Sequence, residues 1–280
     1  MAMYPELSGK VAIITGAGRR SGLGAAMALR LAAERVKVVV SDIGAAAGPN
    51  VPASAIGASD EMNAVVAQIV AAGGKATALA CNMLDAASIE SLVARTVKHF
   101  GSVDILVNNA GVGYLMKPIV EMSMEEWDTV QGVNLRGVFA ATQAVAKRFI
   151  SQGRGGRIVN IASQAAKSGF AHAAAYCASK HGVVGFTRVA AIELAAYQIT
   201  VNAICPNHVS TGLGAWQNEY FANLRGISVE QHLADMRARI PIGRPGLPAD
   251  TANACAFLCS DQAQYITGES MNVSGGEEMH

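Results

Sequence analysis

Charge is scarce in this chain: Asp, Glu, Lys and Arg together make up 15% of its 280 residues, and the formal net charge is +1. No basic run stands out, so the electrostatic footprint of a nucleic-acid or membrane-surface binder is missing and neither partner is expected. No apolar run reaches the roughly 18 residues that a membrane-spanning helix needs. The opening MAMYPELSGKVAIIT lacks a charged leader, an apolar core and a small-residue cleavage site, so no signal peptide is read and a cytoplasmic protein is expected. The five cysteines, Cys81, Cys177, Cys205, Cys255 and Cys259, form no CxxC pair and no Cys/His cluster at ligand spacing. That pattern argues against a disulfide framework and a metal site, and reads as reduced, buried thiols.

Apolar residues are abundant, at 51%, which suits a chain that buries surface in a central sheet and between subunits. Short β-branched or apolar runs (KVAIIT, VKVVVSD, KATALAC, VDILVNN, GRIVNIAS, QITVNAIC, SMNVSG) alternate with longer helical patterns. Such alternation predicts an α/β fold: a doubly wound, Rossmann-like parallel sheet of about seven strands flanked by helices, in one domain over 1–280. The ligand crevice then lies at the carboxyl ends of the strands. Two segments break the rhythm. Residues 44–59 are rich in Gly, Ala, Pro and Ser and read as a loop ending at Ser59, a candidate N-cap. Residues 212–248 carry Trp216, Tyr220, Phe221, His232, Arg225, Arg237 and Arg239, and read as a partly helical lid over substrate.

Between the first strand and first helix stands TGAGRRSGLG, Thr15 to Gly24. Glycine lets the backbone approach a pyrophosphate, and the free amides of the helix start accept its charge. Gly22-Leu23-Gly24 opens the helix. The leading glycine is either Gly18, giving G-x-x-x-G-x-G, or Gly16, with two extra residues around Arg19 and Arg20; the second is preferred because Thr15-Gly16 follows the strand directly. The second strand ends at Asp42, whose carboxylate can accept both ribose hydroxyls of NAD and would repel the 2′-phosphate of NADP. Arg19 and Arg20 pull toward NADP, since an arginine there can pair with that phosphate. NAD is the favoured cofactor and NADP is not excluded.

Further along, NNAG (Asn108 to Gly111), VNLRGVF around Asn134, IVNIAS ending at Ser163 and YCASK with Tyr176 and Lys180 follow in order. With the glycine turn, they resemble the short-chain dehydrogenase/reductase family from about Lys10 to Gly276. The chemistry needs these residue types. Hydride transfer from a secondary alcohol requires a base, and a phenol of pKa about 10 is protonated at neutral pH. Tyr176 and Lys180, four residues apart, share one helix face, so the ammonium can favour the phenolate. Tyr176 then serves as general acid or base, while Ser163 donates a hydrogen bond to the substrate oxygen.

The resemblance implies more. Lys180 and Tyr176 contact the nicotinamide ribose, Asn134 holds a helix kink and the water of a proton relay, and Asn109, Ala110 and Gly111 line the cofactor. Val209 and Thr211 meet the nicotinamide carboxamide, and Asn82 with Met83 lies near adenine. Family members usually pair the two long helices around Asn134 and Tyr176 across subunits, so a homotetramer or homodimer is expected. Three positions depart from the family pattern: Asn82 replaces an aspartate, and Asn207 replaces a glycine, with asparagine tolerating left-handed backbone. The third, Arg35, ends the first helix where glycine is usual; at φ > 0 it would cost about 1 kcal/mol.

For the substrate, Gln164, Lys167, Tyr114, Met116, His172, His208, Trp216 and Tyr220 are expected to face the crevice, with Gln164, His208 and Trp216 joining Ser163 and Tyr176 as direct contacts. Polar groups among aromatics suit a sugar, polyol or hydroxy acid. The alternatives are an NADPH-dependent carbonyl or 3-oxoacyl reductase and a catalytically silent NAD-binding regulator. The regulator is disfavoured because the Ser-Tyr-Lys set is intact.

Overall fold

Why the strands are so apolar becomes plain in the computed structural model, which describes residues 3–45, 50 and 56–280. Seven parallel strands form one sheet in the order β3-β2-β1-β4-β5-β6-β7. They are β1 (Val11–Thr15), β2 (Lys37–Asp42), β3 (Lys75–Ala80), β4 (Ile105–Asn108), β5 (Gly156–Ile161), β6 (Ile199–Pro206) and β7 (Ser270–Val273). Parallel strands with helices on both faces have no wet side, and β1, β4 and β6 are accordingly buried at every residue.

One face packs on α1 (Leu23–Ala33), α2 (Ser59–Ala71) and α9 (Pro248–Cys259), with Ile14, Leu31, Val38, Ile69 and Cys255 in a common core. The other packs on α3 (Ala86–Phe100), α5 (Gly137–Gln152) and α6 (Ala174–Leu194), with Ile13, Leu106, Phe149 and Ile199 at its centre. The order reverses between β1 and β4, so the loops leaving their carboxyl ends part there and open the crevice.

Local chemistry sets the boundaries. Asp85 caps α3 by accepting from Ala87 N, and Ser123 with Glu126 forms a reciprocal capping box on α4 (Met124–Gln131). Ser59 does not cap α2: it is the first helical residue, because its backbone N–H and Oγ are both tied to Gly44 O, leaving Ala58 at the cap. The remainder of the expected 44–59 loop lies largely outside the described residues. Arg35 does sit at φ +63°, where its carbonyl accepts from Gly9 N. Asn207, by contrast, is not among the residues with positive φ. Its side chain, not its backbone freedom, distinguishes it from glycine: Nδ2 donates to Glu277 Oε2.

Residues 124–152 run as one helical stretch whose interruption, at Asn134, is a π segment. Between α4 and α5 a π-helical segment spans Gly132–Arg136, with the Gly137 amide reaching back to Gly132 O. A Cβ on Gly132 would lie 2.7 Å from Leu84 Cδ2, and one on Gly137 3.1 Å from Met83 Cβ. Glycine at both places lets this segment press against the exit of β3. The expected lid folds as two helices, α7 (Gly212–Arg225) and α8 (Val229–Arg239).

Candidate active site

The glycine turn is cramped in a way only glycine permits. Gly16 follows β1 at φ +64°, and a Cβ there would meet Ala110 Cα at 2.6 Å. On Gly24 a Cβ would meet Gly16 O at 2.4 Å and both Ala17 Cα and Asn109 Nδ2 at 2.7 Å. Gly16 therefore leads the motif and the loop is enlarged. Gly22 stands at the N-cap of α1 with no side chain capping the helix, so its first amides are open to an anion.

Gly18 does not reach the crevice. Its amide donates to Asp42 Oδ2 at 3.0 Å, and a Cβ would strike Gly57 Cα and Met62 Cγ at 2.8 Å. The turn closed by Gly22 N on Arg19 O leaves Arg20 exposed, while Arg19 joins the crevice wall and acts electrostatically on Asp42 and Tyr114. Arg20, expected among the cofactor contacts, therefore points away, and its place is taken by Arg19.

A cavity of about 210 Å³ runs along this side, walled by Gly16, Arg19, Gly22, Leu23, Asp42, Asn82, Met83, Asn109, Ala110, Gly111, Tyr114, Tyr176, Lys180 and Thr211. Ser41 Oγ, in the same wall, is buried without a partner. Asp42 is held by the amides of Gly18 and Ile43, and burial raises its carboxyl above the usual range. Asn82 turns its Oδ1 onto Leu84 N, capping its own loop. Asn109 ties β4 to the glycine turn, donating through Nδ2 to Thr15 O and Gly16 O. Open amides, backbone-tight glycines, an unpartnered hydroxyl and a carboxylate at the tip of β2 form a cradle that fits a dinucleotide.

A second cavity, of about 430 Å³, opens beyond Tyr176. Tyr176 lines both, as do Leu23, Ala162, Thr211 and Leu213. Ser163 lies in the second wall with Gln164 and His208. Ser163 ends the β5 exit and its Oγ accepts from Ala165 N; it also acts on the Tyr176 phenol, against the upward push of burial. Lys180 is buried, donates through Nζ to Ile161 O at 2.7 Å and lies 5.7 Å from the Tyr176 ring centroid.

Burial governs both groups. It pushes the phenol above its ordinary value, against the smaller opposing influence of Ser163, and pushes Lys180 down to about 8. The expected depression of the phenol by the ammonium is not seen: desolvation sets the direction, and the opposing influence is that of Ser163. Asn134 is wholly buried and reaches neither cavity. Its Oδ1 accepts from Val112 N at 2.7 Å and its Nδ2 donates to Val112 O and Ser179 Oγ, while Ser179 Oγ donates to Tyr176 O. It clamps the segment after NNAG to the helix that carries Tyr176.

Several expected substrate contacts point elsewhere. Trp216 stacks on Tyr220, whose hydroxyl meets His172 Nδ1 and Met116 O. Lys167 donates to Ser270 Oγ, Tyr114 lines the first cavity, and Val209 lines the second rather than the first. Helical spacing explains the lid: Leu213, Gln217, Phe221 and Arg225, four apart, share the cavity face of α7, whereas Trp216 and Tyr220 lie a residue back and dock on neighbouring loops. Phe170, Met236 and Glu277 in the same wall carried no sequence signal, being far apart along the chain.

Among the described residues no three His, Cys, Asp or Glu side chains are placed to hold a metal, and no helix is long and apolar enough to cross a membrane.

Comparison with known proteins agrees with this geometry. Residues 16–278 match the family model described as enoyl-(acyl carrier protein) reductase. The chain is 39% identical over 274 residues to the 3-oxoacyl-[acyl-carrier-protein] reductase of Synechocystis, covering 98% of each chain. It is 37% identical over 272 residues to the 2-dehydro-3-deoxy-D-gluconate 5-dehydrogenase of Escherichia coli, covering 97% of this chain and 96% of that one. The crystal structure of a point variant of actinorhodin polyketide ketoreductase with NADPH superposes with a TM-score of 0.87 at 38% identity, covering both chains completely. A cradle that fits a dinucleotide, Tyr176 between Lys180 and Ser163, and relatives matched end to end lead to one assignment: the chain belongs to the short-chain dehydrogenase/reductase family of nicotinamide-dependent oxidoreductases, which interconvert alcohols and carbonyl compounds.

Proposed function

We propose that the protein is an NAD-preferring dehydrogenase of a secondary alcohol carried on a sugar, polyol or hydroxy acid. The observation that carries this reading is the position of Tyr176, whose side chain lines both cavities at once. A group there can exchange a proton with substrate while a hydride passes on the other side. The nicotinamide, when bound, accepts or donates that hydride. Tyr176 takes the hydroxyl proton in oxidation and returns it in reduction. Ser163 donates to the substrate oxygen as charge develops, and Lys180, in its ammonium form below about 8, supports the phenolate. Asn134 acts by holding Val112 and Ser179 in place, the latter bonded to the Tyr176 carbonyl.

Gly16, Gly22, Leu23, Asn82, Met83, Asn109, Ala110, Gly111, Lys180 and Thr211 would hold the dinucleotide, with Asp42 on the adenosine ribose hydroxyls. Asp42 supports NAD, because a 2′-phosphate would meet a carboxylate. A specific observation favours the second reading, an NADPH-dependent carbonyl or 3-oxoacyl reductase: Arg19 shares that wall. Substrate would meet Ser163, Tyr176, Gln164 and His208 beneath the lid of α7 and α8. Phe139, Val189 and Ile192 are exposed on α5 and α6, which supports pairing of these helices in a dimer or tetramer; a monomer by light scattering at micromolar concentration would contradict it.

The test is a panel: xylitol and gluconate oxidised with NAD or NADP, and ethyl acetoacetate reduced with NADH or NADPH. NADH formation from xylitol or gluconate is the expected result. Activity confined to NADPH and ethyl acetoacetate would replace this reading with the reductase.

A further inference from the structure

The larger cavity has a wall supplied by the last residues of the chain. After β7, Gly275 and Gly276 turn at φ +66° and +92°, so close to the end of α8 that a Cβ on Gly275 would lie 2.7 Å from Ile240 Cγ2. The amide of Ile242 donates to Gly275 O, fixing the turn. The next two residues are both carboxylates and both are largely enclosed. Glu278 is buried outside the cavity wall, where Oε2 accepts from Ser168 Oγ at 3.0 Å and Gln164 Nε2 at 3.3 Å. Glu277 enters the wall itself, alongside Ser163 and Tyr176.

Two segments converge on Glu277, the one after β6 and the end of α8. Its Oε2 accepts from Asn207 Nδ2 at 2.5 Å and lies 3.6 Å from His208 Nε2, while Oε1 accepts from Arg239 Nε at 3.2 Å. A carboxylate has about four acceptor sites, and the two hydrogen bonds leave capacity on an oxygen pair that the cavity reaches. Arg239 balances the charge, so the cluster offers no net attraction to an anion. A substrate carboxylate would meet the Glu277 oxygens directly, whereas a hydroxyl can donate to them in a charge-assisted bond. Burial and the neighbouring arginine hold His208 toward its neutral form, in which the ring both donates and accepts.

We propose that Glu277, with Asn207 and His208, is the specificity subsite of this enzyme, and that it takes adjacent hydroxyls at the uncharged end of a polyol. The proposal rests on the dehydrogenase reading above and narrows it. It gives Asn207 a purpose, since the glycine usual at that position has no amide to steer Glu277.

The experiment compares the wild type with Glu277→Gln and Asn207→Gly on xylitol, gluconate and ethyl acetoacetate. In Glu277→Gln the KM for xylitol should rise about tenfold or more, with kcat and the KM for NAD changed less than about twofold. Ethyl acetoacetate reduction should be unaffected, and the preference for xylitol over gluconate should collapse. Asn207→Gly should raise the xylitol KM by a smaller factor, because Arg239 still orients the carboxylate. An equal fall with every probe, accompanied by a lower Tm, would mean that Glu277 only holds the tail and would overturn the proposal. An unchanged xylitol KM in an active enzyme would overturn it alone. A wild type that oxidises gluconate but not xylitol would also overturn it while leaving the dehydrogenase reading standing, and one that oxidises neither overturns both.

Discussion

The two cavities on either side of Tyr176 are built by different means. The dinucleotide side is made of backbone: Gly16, Gly24 and the NNAG turn approach so closely that a single Cβ would collide with main chain. The substrate side is made largely of side chains brought from far apart: the loops after β5 and β6, α6, the two lid helices and the tail. Backbone complementarity demands fixed residue types at fixed spacing, so it tolerates little change. A wall of side chains can be rebuilt one residue at a time, which is how one fold serves many substrates.

The largest effect that separates the two sides is expected from Tyr176→Phe. Turnover should fall by about 10³-fold, within the range for losing a general acid–base, while dinucleotide affinity measured by fluorescence titration stays nearly constant. Comparable loss of both would mean that the tyrosine serves the cradle instead. Next comes Gly24→Ala, whose new Cβ would press on Gly16 O and Ala17 Cα. Since these are backbone atoms, the helix must move; a stability loss of about 1–3 kcal/mol is expected by denaturant melting, with weakened dinucleotide binding. An alanine tolerated without either change would refute the backbone account.

Asp42→Ala should lower the preference for NADH over NADPH by about tenfold, read as a ratio of dissociation constants. If wild type already binds NADPH more tightly, Arg19 governs the site and the reductase reading gains. The pH profile gives a sign test. Because burial raises the Tyr176 phenol above its ordinary value, the neutral form persists into alkaline pH, so reduction should stay flat through neutrality while oxidation climbs on the alkaline side. An oxidation rate already at its plateau near neutral pH would contradict this. The smallest effect lies outside both cavities: Arg35→Gly relieves φ +63° and should raise stability by at most about 1 kcal/mol, seen as a small rise in Tm.

The same contrast explains what the sequence could disclose. The alternation of apolar runs announced a doubly wound sheet; six of the seven strands fall within the expected runs, because the central strands, buried on both faces, must be apolar, and β6 extends one residue beyond its run, to Pro206. Gly22 and Gly24 were legible from spacing, and so were Tyr176 and Lys180, four apart on one helix, whereas spacing left Gly16 and Gly18 both open as the leading glycine. Arg19 and Arg20 were not separable, since which side chain faces in depends on the Arg19–Gly22 turn. The π segment at Gly132–Arg136 was hidden as well: helix periodicity passes through it, and its close approach to Met83 and Leu84 is a tertiary contact. Trp216 looked like a substrate contact because aromatic residues often are, yet α7 turns that face onto Tyr220 and the loops beside it. Glu277 and Phe170 reach the cavity only through tertiary convergence, which no local pattern encodes.

The central claim is that Tyr176 stands between a dinucleotide and a secondary alcohol and that hydride crosses beside it. Xylitol deuterated at its secondary carbinol carbons, incubated with NAD and enzyme, tests this by mass spectrometry of the reduced dinucleotide. Deuterium carried into the nicotinamide by the wild type, and not by Tyr176→Phe, is the predicted result. Undeuterated product, or equal label transfer by the variant, would contradict it.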